Sequence, residues 1–191
     1  MKFQKVLSQY QLLMDEMNIA ISELLARESD PVVIADAVED FLIDAYVEGF
    51  AGTGYLLGTS ESLSSPAHLF EVVRKEIDGK TFRERVIEHM QEGNLDGVLL
   101  VANTDGHRVY TTAAEDSARG AAKQGLSVSK SWVTMLDERV RDTHSYLQGE
   151  TVGVDARFHT FDGDSASRPG DFERAENNIG CRGVVEYSII N

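Results

Sequence analysis

The chain holds one cysteine among its 191 residues. An internal disulfide is therefore excluded, no Cys-x-x-Cys pair exists, and the composition fits a reducing compartment such as a bacterial cytoplasm. No apolar run approaches the ~18 residues a membrane-spanning helix needs, so no membrane partner is expected. The opening MKFQKVLSQYQLLMDEM turns acidic too early for a secretory signal. Cations are also scarce, with 18 Lys and Arg against 32 Asp and Glu for a net charge of −14. The deficit is uneven: residues 1–115 carry 9 basic and 20 acidic side chains, residues 116–191 carry 9 and 12. Phosphate binding needs clustered positive charge, which makes the first part a poor nucleic-acid surface. Its acid surplus reads more simply as solvated helix faces.

What remains is ordinary for a globular chain, at 42% apolar and 26% charged residues, and long enough to bury a real core. The first half reads as helices. Val6, Tyr10, Leu13, Met17, Ala20, Ile21 and Leu24 recur at three and four residues, the period of an amphipathic helix. Asp30-Pro31 supplies an N-cap and a first-turn proline for a second helix, with the stripe Ile34, Val38, Phe41, Leu42, Ala45 decaying at Gly49, Gly52, Gly54 and Gly58. The two suggest an antiparallel hairpin running from Phe3 to Phe50. The stretch from Gly58 to Pro66 reads as a linker, and Ser65-Pro66 restarts a helix to about Ile77. Thr81 and Glu84 form a capping box for a helix ending at Gly93. A short apolar run, Val98 to Ala102, is then expected before Asp105 caps a last helix that Gly125 ends.

From Ser127 onward the pattern changes. Val128 to Met135 is β-prone, Arg141 to Leu147 fits one or two helical turns stopped at Gly149, and Thr151 to Val154 fits a short strand. Phe158 to Asn178 reads mostly as loop, and Val184 to Ile190 as the clearest strand. The expected fold class is α+β: a helix-rich N-terminal region with a small mixed α/β C-terminal unit, divided as residues 1–65 and 66–191. The Trp132 strand is expected to pair with Val184 to Ile190, since each would otherwise leave an open ladder.

Candidate chemistry centres on Asp137, Arg139, Arg141, Asp142 and His144. As a site, it would be an acid–base or metal centre built on His144 with Asp137 or Asp142 as orienting carboxylate. As structure, it would be an ion-pair cluster, with Arg139, Arg141 and Asp142 clamping the loop that holds Pro169-Gly170-Asp171. His144, His159 and Cys181 are metal-ligand types but lack zinc spacing, and a Cys181 nucleophile would need His144 beside it in space. The run GFAGTGYLLG follows a helix instead of a strand and lacks a lysine, which removes a phosphate loop. Asp162-Gly163-Asp164 lacks the downstream glutamate of a calcium loop. The best candidate DNA patch is Arg139, Arg141, Arg157, Arg168, Arg174 and Arg182.

In order and spacing, the last third resembles the Mu F-like head morphogenesis family, the minor capsid proteins of tailed bacteriophages. Lys130 and Trp132 open a strand that leads into Asp137, Arg139, Arg141 and His144. Gly149 follows, then the aromatic Phe158, the Pro169-Gly170-Asp171 loop, and Cys181-Arg182 before the final strand. TFRERVIEHM and RVYTTAAEDSARGAAKQG resemble the helices that precede this pattern. Two departures stand out: Gln148-Gly149 replaces the family's Asp-Gly, and Gly180-Cys181-Arg182-Gly183 lacks the Asn and second Cys of Asn-Cys-Arg-Cys.

The resemblance implies a non-enzymatic virion component without a cofactor or metal. It would be assembled in the bacterial host cytoplasm and sit in the capsid interior or at the portal vertex. Its implied partners are portal and capsid proteins and, weakly, packaged DNA. Some relatives add a C-terminal toxin or nuclease domain, which is not expected after Asn191. Two alternatives stay open: a small metal-dependent hydrolase or nuclease centred on His144, and a host protein or prophage remnant that kept the fold without the assembly role.

Overall fold

The computed structural model describes residues 2–59 and 65–190, with side chains from residue 7 onward. The side chains of Phe3 and Val6, and residues 60–64 within the expected linker, lie outside the described residues. Helix α1 spans Lys2–Ala26 and α2 spans Pro31–Leu57. On α1 the buried side chains are Tyr10, Met14, Met17, Ile21 and Leu25, a single stripe at helical spacing. Asp30 accepts a 2.8 Å hydrogen bond from the Val32 amide, and Pro31 takes the first helical position, as the dipeptide predicts.

The expected decay of α2 at Gly49 does not occur. The helix continues to Leu57 because Gly49 and Gly54 are buried where it crosses a later helix. A Cβ at Gly49 would collide with the Tyr110 carbonyl oxygen, so the missing side chain sets how closely the two backbones approach. Gly58, at φ 66°, then ends α2 in the left-handed conformation.

Helix α3 spans Pro66–Val73, shorter than the expected end at Ile77, and α4 spans Phe82–Gln91 behind the Thr81–Glu84 capping box. The long α5, Leu95–Lys123, corrects a second expectation. Residues 98–102 and the segment after Asp105 are one helix, capped by Asn94, whose side chain accepts from the Gly97 amide at 3.0 Å. Asp105 is fully buried in mid-helix, 2.8 Å from Arg85 on α4 and 2.9 Å from Arg108. Arg108 also donates to the Val72 carbonyl at 2.8 Å, which holds the end of α3. An acid that resembles a helix start is thus neutralised by Arg85 from α4 and by Arg108 one turn along its own helix.

The C-terminal unit is built on an antiparallel sheet of order β2-β1-β5, with β1 at Val128–Val133, β2 at Thr151–Gly153 and β5 at Val184–Ile189. The expected pairing is present: Trp132 lies opposite Val185, and Lys130 opposite Tyr187. Helix α6 is Asp142–Leu147. The stretch expected to be mostly loop contains a small hairpin, β3 (Phe158–His159) with β4 (Ser165–Ala166), and one helical turn, α7 (Ala175–Asn178). The fold is α+β. Ile34, Leu42 and Tyr46 of α2 share one core with Val98, Ala102 and Val109 of α5, so the first two helices pack directly onto the later ones. Further along, Ala114, Ala118 and Ala121 of α5 enter a second core with Trp132, Phe158 and Tyr187.

Candidate functional site

Side chains alternate across a strand, so Val128, Lys130 and Trp132 share the face of β1 that covers the second core. Trp132 is fully buried and meets Phe158 edge-on at 5.1 Å and His144 at 5.7 Å. The His144 ring stacks on Phe172 at 5.1 Å. Gly149, at φ 77°, turns the chain after α6 so that its amide donates to the Trp132 carbonyl at 2.8 Å. Gln148, which departs from the resembled pattern, accepts at 2.7 Å from both the amide and the hydroxyl of Thr134 and fixes the end of β1.

Lys130 is buried on the same face. Its ammonium donates to the Ser167 carbonyl at 2.7 Å and lies 5.5 Å from the centre of the Phe158 ring, and burial lowers it to about 8. Ser167 opens the Pro169-Gly170-Asp171 turn, whose anchor is α5. Thr111 donates its hydroxyl to the Pro169 carbonyl at 3.0 Å. Gly170, at φ 84°, passes against the His107 ring. Arg168 lies 3.2 Å from Glu115 and 3.2 Å from Asp171, and donates to the Thr112 hydroxyl at 2.7 Å. Asp171 accepts from the Ser167 amide at 3.1 Å and the Ser167 hydroxyl at 2.8 Å.

The clamp expected of Arg139, Arg141 and Asp142 is therefore corrected. Arg139 and Asp142 are exposed, and Arg141 donates to the Ile179 carbonyl beyond the turn. Arg139 and Arg141 precede the short α6 and Asp142 opens it on an exposed face, while α5 carries the side chains that reach the loop. Asp137 forms a two-pronged pair with Arg182 at 2.7 and 2.8 Å, which, with the Arg139 amide at 3.1 Å, holds its carboxyl below the usual range. Of the six arginines read as a DNA patch, Arg168, Arg174 and Arg182 are each paired with a carboxylate. Arg157 lies 3.6 Å from Asp171 and Arg141 is spent on a carbonyl. Among the described residues, Arg139 alone of the six has a guanidinium with no hydrogen bond or ion pair, although its charge acts on Asp137.

The structure brings Cys181 and His144 together, with Sγ 3.6 Å from Nδ1 in a buried setting. Burial pushes the thiol up to about 11 and lowers the imidazole to about 4, the latter helped by the Arg141 charge. Both groups are neutral near pH 7, so the thiol is not converted to the thiolate that nucleophilic chemistry requires. His144 makes no ion pair with Asp137 or Asp142. Among the described residues no three His, Cys, Asp or Glu side chains converge as a metal site.

Residues that sequence reading missed do much of the ordering. Asp164 is 3% exposed and accepts from the Asn177 amide group at 2.8 Å and from the backbone amides of Ser165, Glu173 and Arg174. Burial works to raise its carboxyl, yet these donors leave it below the usual range. His107, its imidazole lowered to about 4 by burial, donates Nε2–H to the Gly183 carbonyl at 2.7 Å. Nothing local in the sequence flags Glu115, His107 or Asn177, since each acts on a segment far along the chain.

A family model described as Phage Mu protein F like protein matches residues 71–186. Over 106 residues the chain is 34% identical to Minor head protein GP7 of Bacillus phage SPP1, covering 56% of this chain and 34% of that protein. Over 107 residues it is 31% identical to NAD(+)--arginine ADP-ribosyltransferase EFV of Enterococcus faecalis (strain ATCC 700802 / V583), covering 55% of this chain and 22% of that one. The chain thus spans about a third or less of the length of these relatives. No solved structure matches.

Proposed function

The chain belongs to the Phage Mu protein F like family, and from that premise we propose that it is a non-enzymatic component of a phage or prophage head, acting in head assembly near the portal. The observation that carries this reading is how the motif side chains are used. Lys130, Trp132, Phe158, Pro169, Gly170 and Asp171 fall inside the matched segment, and their side chains or backbones hold a long loop onto α5 and the sheet. Such an arrangement favours a rigid surface over a reactive centre. Portal and capsid proteins are its proposed partners, in the capsid interior or at the portal vertex. Residues 1–65 are the proposed partner-binding part and 66–191 the family unit. DNA contact would be weak, because the net charge is −14 and most of the candidate arginines are paired. Among the described residues no helix is long and apolar enough to cross a membrane.

The enzymatic reading has one observation in its favour, the relative named as an ADP-ribosyltransferase. The alignment covers 22% of that protein and leaves the rest of it unmatched. A similar length of the chain aligns to a protein named as a head component, which supports the structural reading. Co-expression with portal and capsid proteins encoded alongside, followed by affinity purification, tests the proposal. Retention of the portal protein through a salt wash is expected. Recovery of the chain with neither protein would contradict it.

A further inference from the structure

Helices α1 and α2 enclose a groove of about 470 Å³ that opens to solvent and has Tyr110 of α5 at its base. Leu12, Leu13 and Val47 line it. Leu13 is half-buried and also packs against the core, whose α1 side chains include Tyr10, Met14, Met17 and Ile21. Leu12 is 62% exposed. An isolated exposed leucine means little, but one seated in a concave, partly apolar depression is a docking feature.

The polar lining of the groove has one sign. Glu16, Asp44 and Glu48 stand around the leucines, and no Lys or Arg lines the groove among the described residues. Among the described residues, none of the three carboxylates takes part in an ion pair. Other acids on and around α2 are treated differently: Glu39 pairs with Arg74 at 2.7 Å, Asp36 with Arg83 at 2.6 Å, and Asp116 with His68 at 2.9 Å. Among the described residues, one side of α2 is neutralised from within the chain, while the groove side is left charged. Burial, with the Glu48 charge beside it, pushes the Tyr110 hydroxyl up to about 12, consistent with a negative potential at the groove floor.

We propose that this groove docks a basic amphipathic helix of a partner protein, its apolar side chains seated between Leu12, Leu13 and Val47 and its lysines or arginines facing Glu16, Asp44 and Glu48. Apolar anchors at helical spacing supply the contact in such helix-in-groove docking, and the complementary charge selects the partner. That the partner is a head protein rests on the proposed function; the chemistry of the groove does not.

The test uses the full chain and a synthetic Leu/Lys amphipathic helix, with a Leu/Glu helix of the same pattern as control, read by fluorescence anisotropy. Asp44→Lys with Glu48→Lys is expected to weaken Leu/Lys binding roughly tenfold or more, and Leu12→Ser to weaken it several-fold. Glu138→Lys with Glu176→Lys, an equal charge change on exposed residues of the C-terminal unit, should change it less than about threefold. Equal loss in both charge-reversed proteins, or no loss in Leu12→Ser, would overturn the groove assignment. Circular dichroism melts confirm that the variants are folded. Heads purified with wild-type or Asp44→Lys/Glu48→Lys chain separate this proposal from the functional one. Loss of the variant alone supports the groove. Full incorporation of the variant overturns it while the head role stands. Absence of the wild-type chain overturns the head role, and the peptide result then decides the groove independently.

Discussion

Glu115 on α5 and Arg168 in the long loop lie 3.2 Å apart, each with its side chain about nine-tenths buried. This contact joins the helical layer to the motif loop. Removing one partner of a buried pair leaves the other charge uncompensated and costs about 3–5 kcal/mol, or roughly 10 °C of melting temperature in a chain of this size. Arg168→Ala should therefore melt far below wild type, and Arg139→Ala, at an exposed guanidinium, close to it. Arg141→Ala should fall between them. Equal melting curves for Arg168→Ala and Arg139→Ala would show that the loop does not depend on α5.

Gly49 gives a second measurement. Its α-carbon sits against the Tyr110 carbonyl, and an added methyl group must push α2 and α5 apart. Overpacking of this kind costs about 1–3 kcal/mol, so Gly49→Ala should lower the urea midpoint, although alanine ordinarily favours a helix. Gly52→Ala, where a Cβ meets nothing, should be neutral or stabilising.

Acid should weaken the fold through two histidines. His107 and His144 are lowered from 6.5 to about 4 by burial. Between those values the unfolded chain binds more protons than the folded one, so stability is fully present above about pH 6.5 and is lost as pH falls toward 4. Each histidine can account for up to about 3 kcal/mol of that loss. Urea titrations between pH ~7.5 and ~4.5 should show the decline, and His144→Phe should flatten it by about half.

Cys181 should be inert in the folded protein. Burial raises its thiol to about 11 and shields it. An aromatic disulfide reagent should react with it at least ~100-fold more slowly in buffer than in urea. Rapid native labelling would indicate a reactive thiol and revive the nucleophile reading.

Local signals in the sequence were enough for much of the fold. The Asp30-Pro31 start, the Thr81–Glu84 box and the β1–β5 pairing all arise from neighbouring residues or from strand pattern. Two features were not legible for the same physical reason. Asp105-Gly106 looks like a helix boundary because Arg85, the partner that α4 brings to Asp105, acts through packing and not through local pattern. The loop after Phe158 looks shapeless because Asp164, with donors up to thirteen positions away in sequence, organises it. At the candidate site, residue types suggested the motif members, but which of them meet was not legible. Arg139 near His144 is exposed and Arg141 bonds to Ile179, while the side chains that clamp the turn are Arg168 and Lys130.

The proposed role makes this chain a built-in part of a phage head. Heads purified on a density gradient from a strain expressing a tagged chain, washed in high salt and probed by immunoblot, test it most directly. The chain is expected to migrate with the heads and to stay through the wash. A chain found only at the top of the gradient, apart from heads that assemble normally without it, would contradict the account.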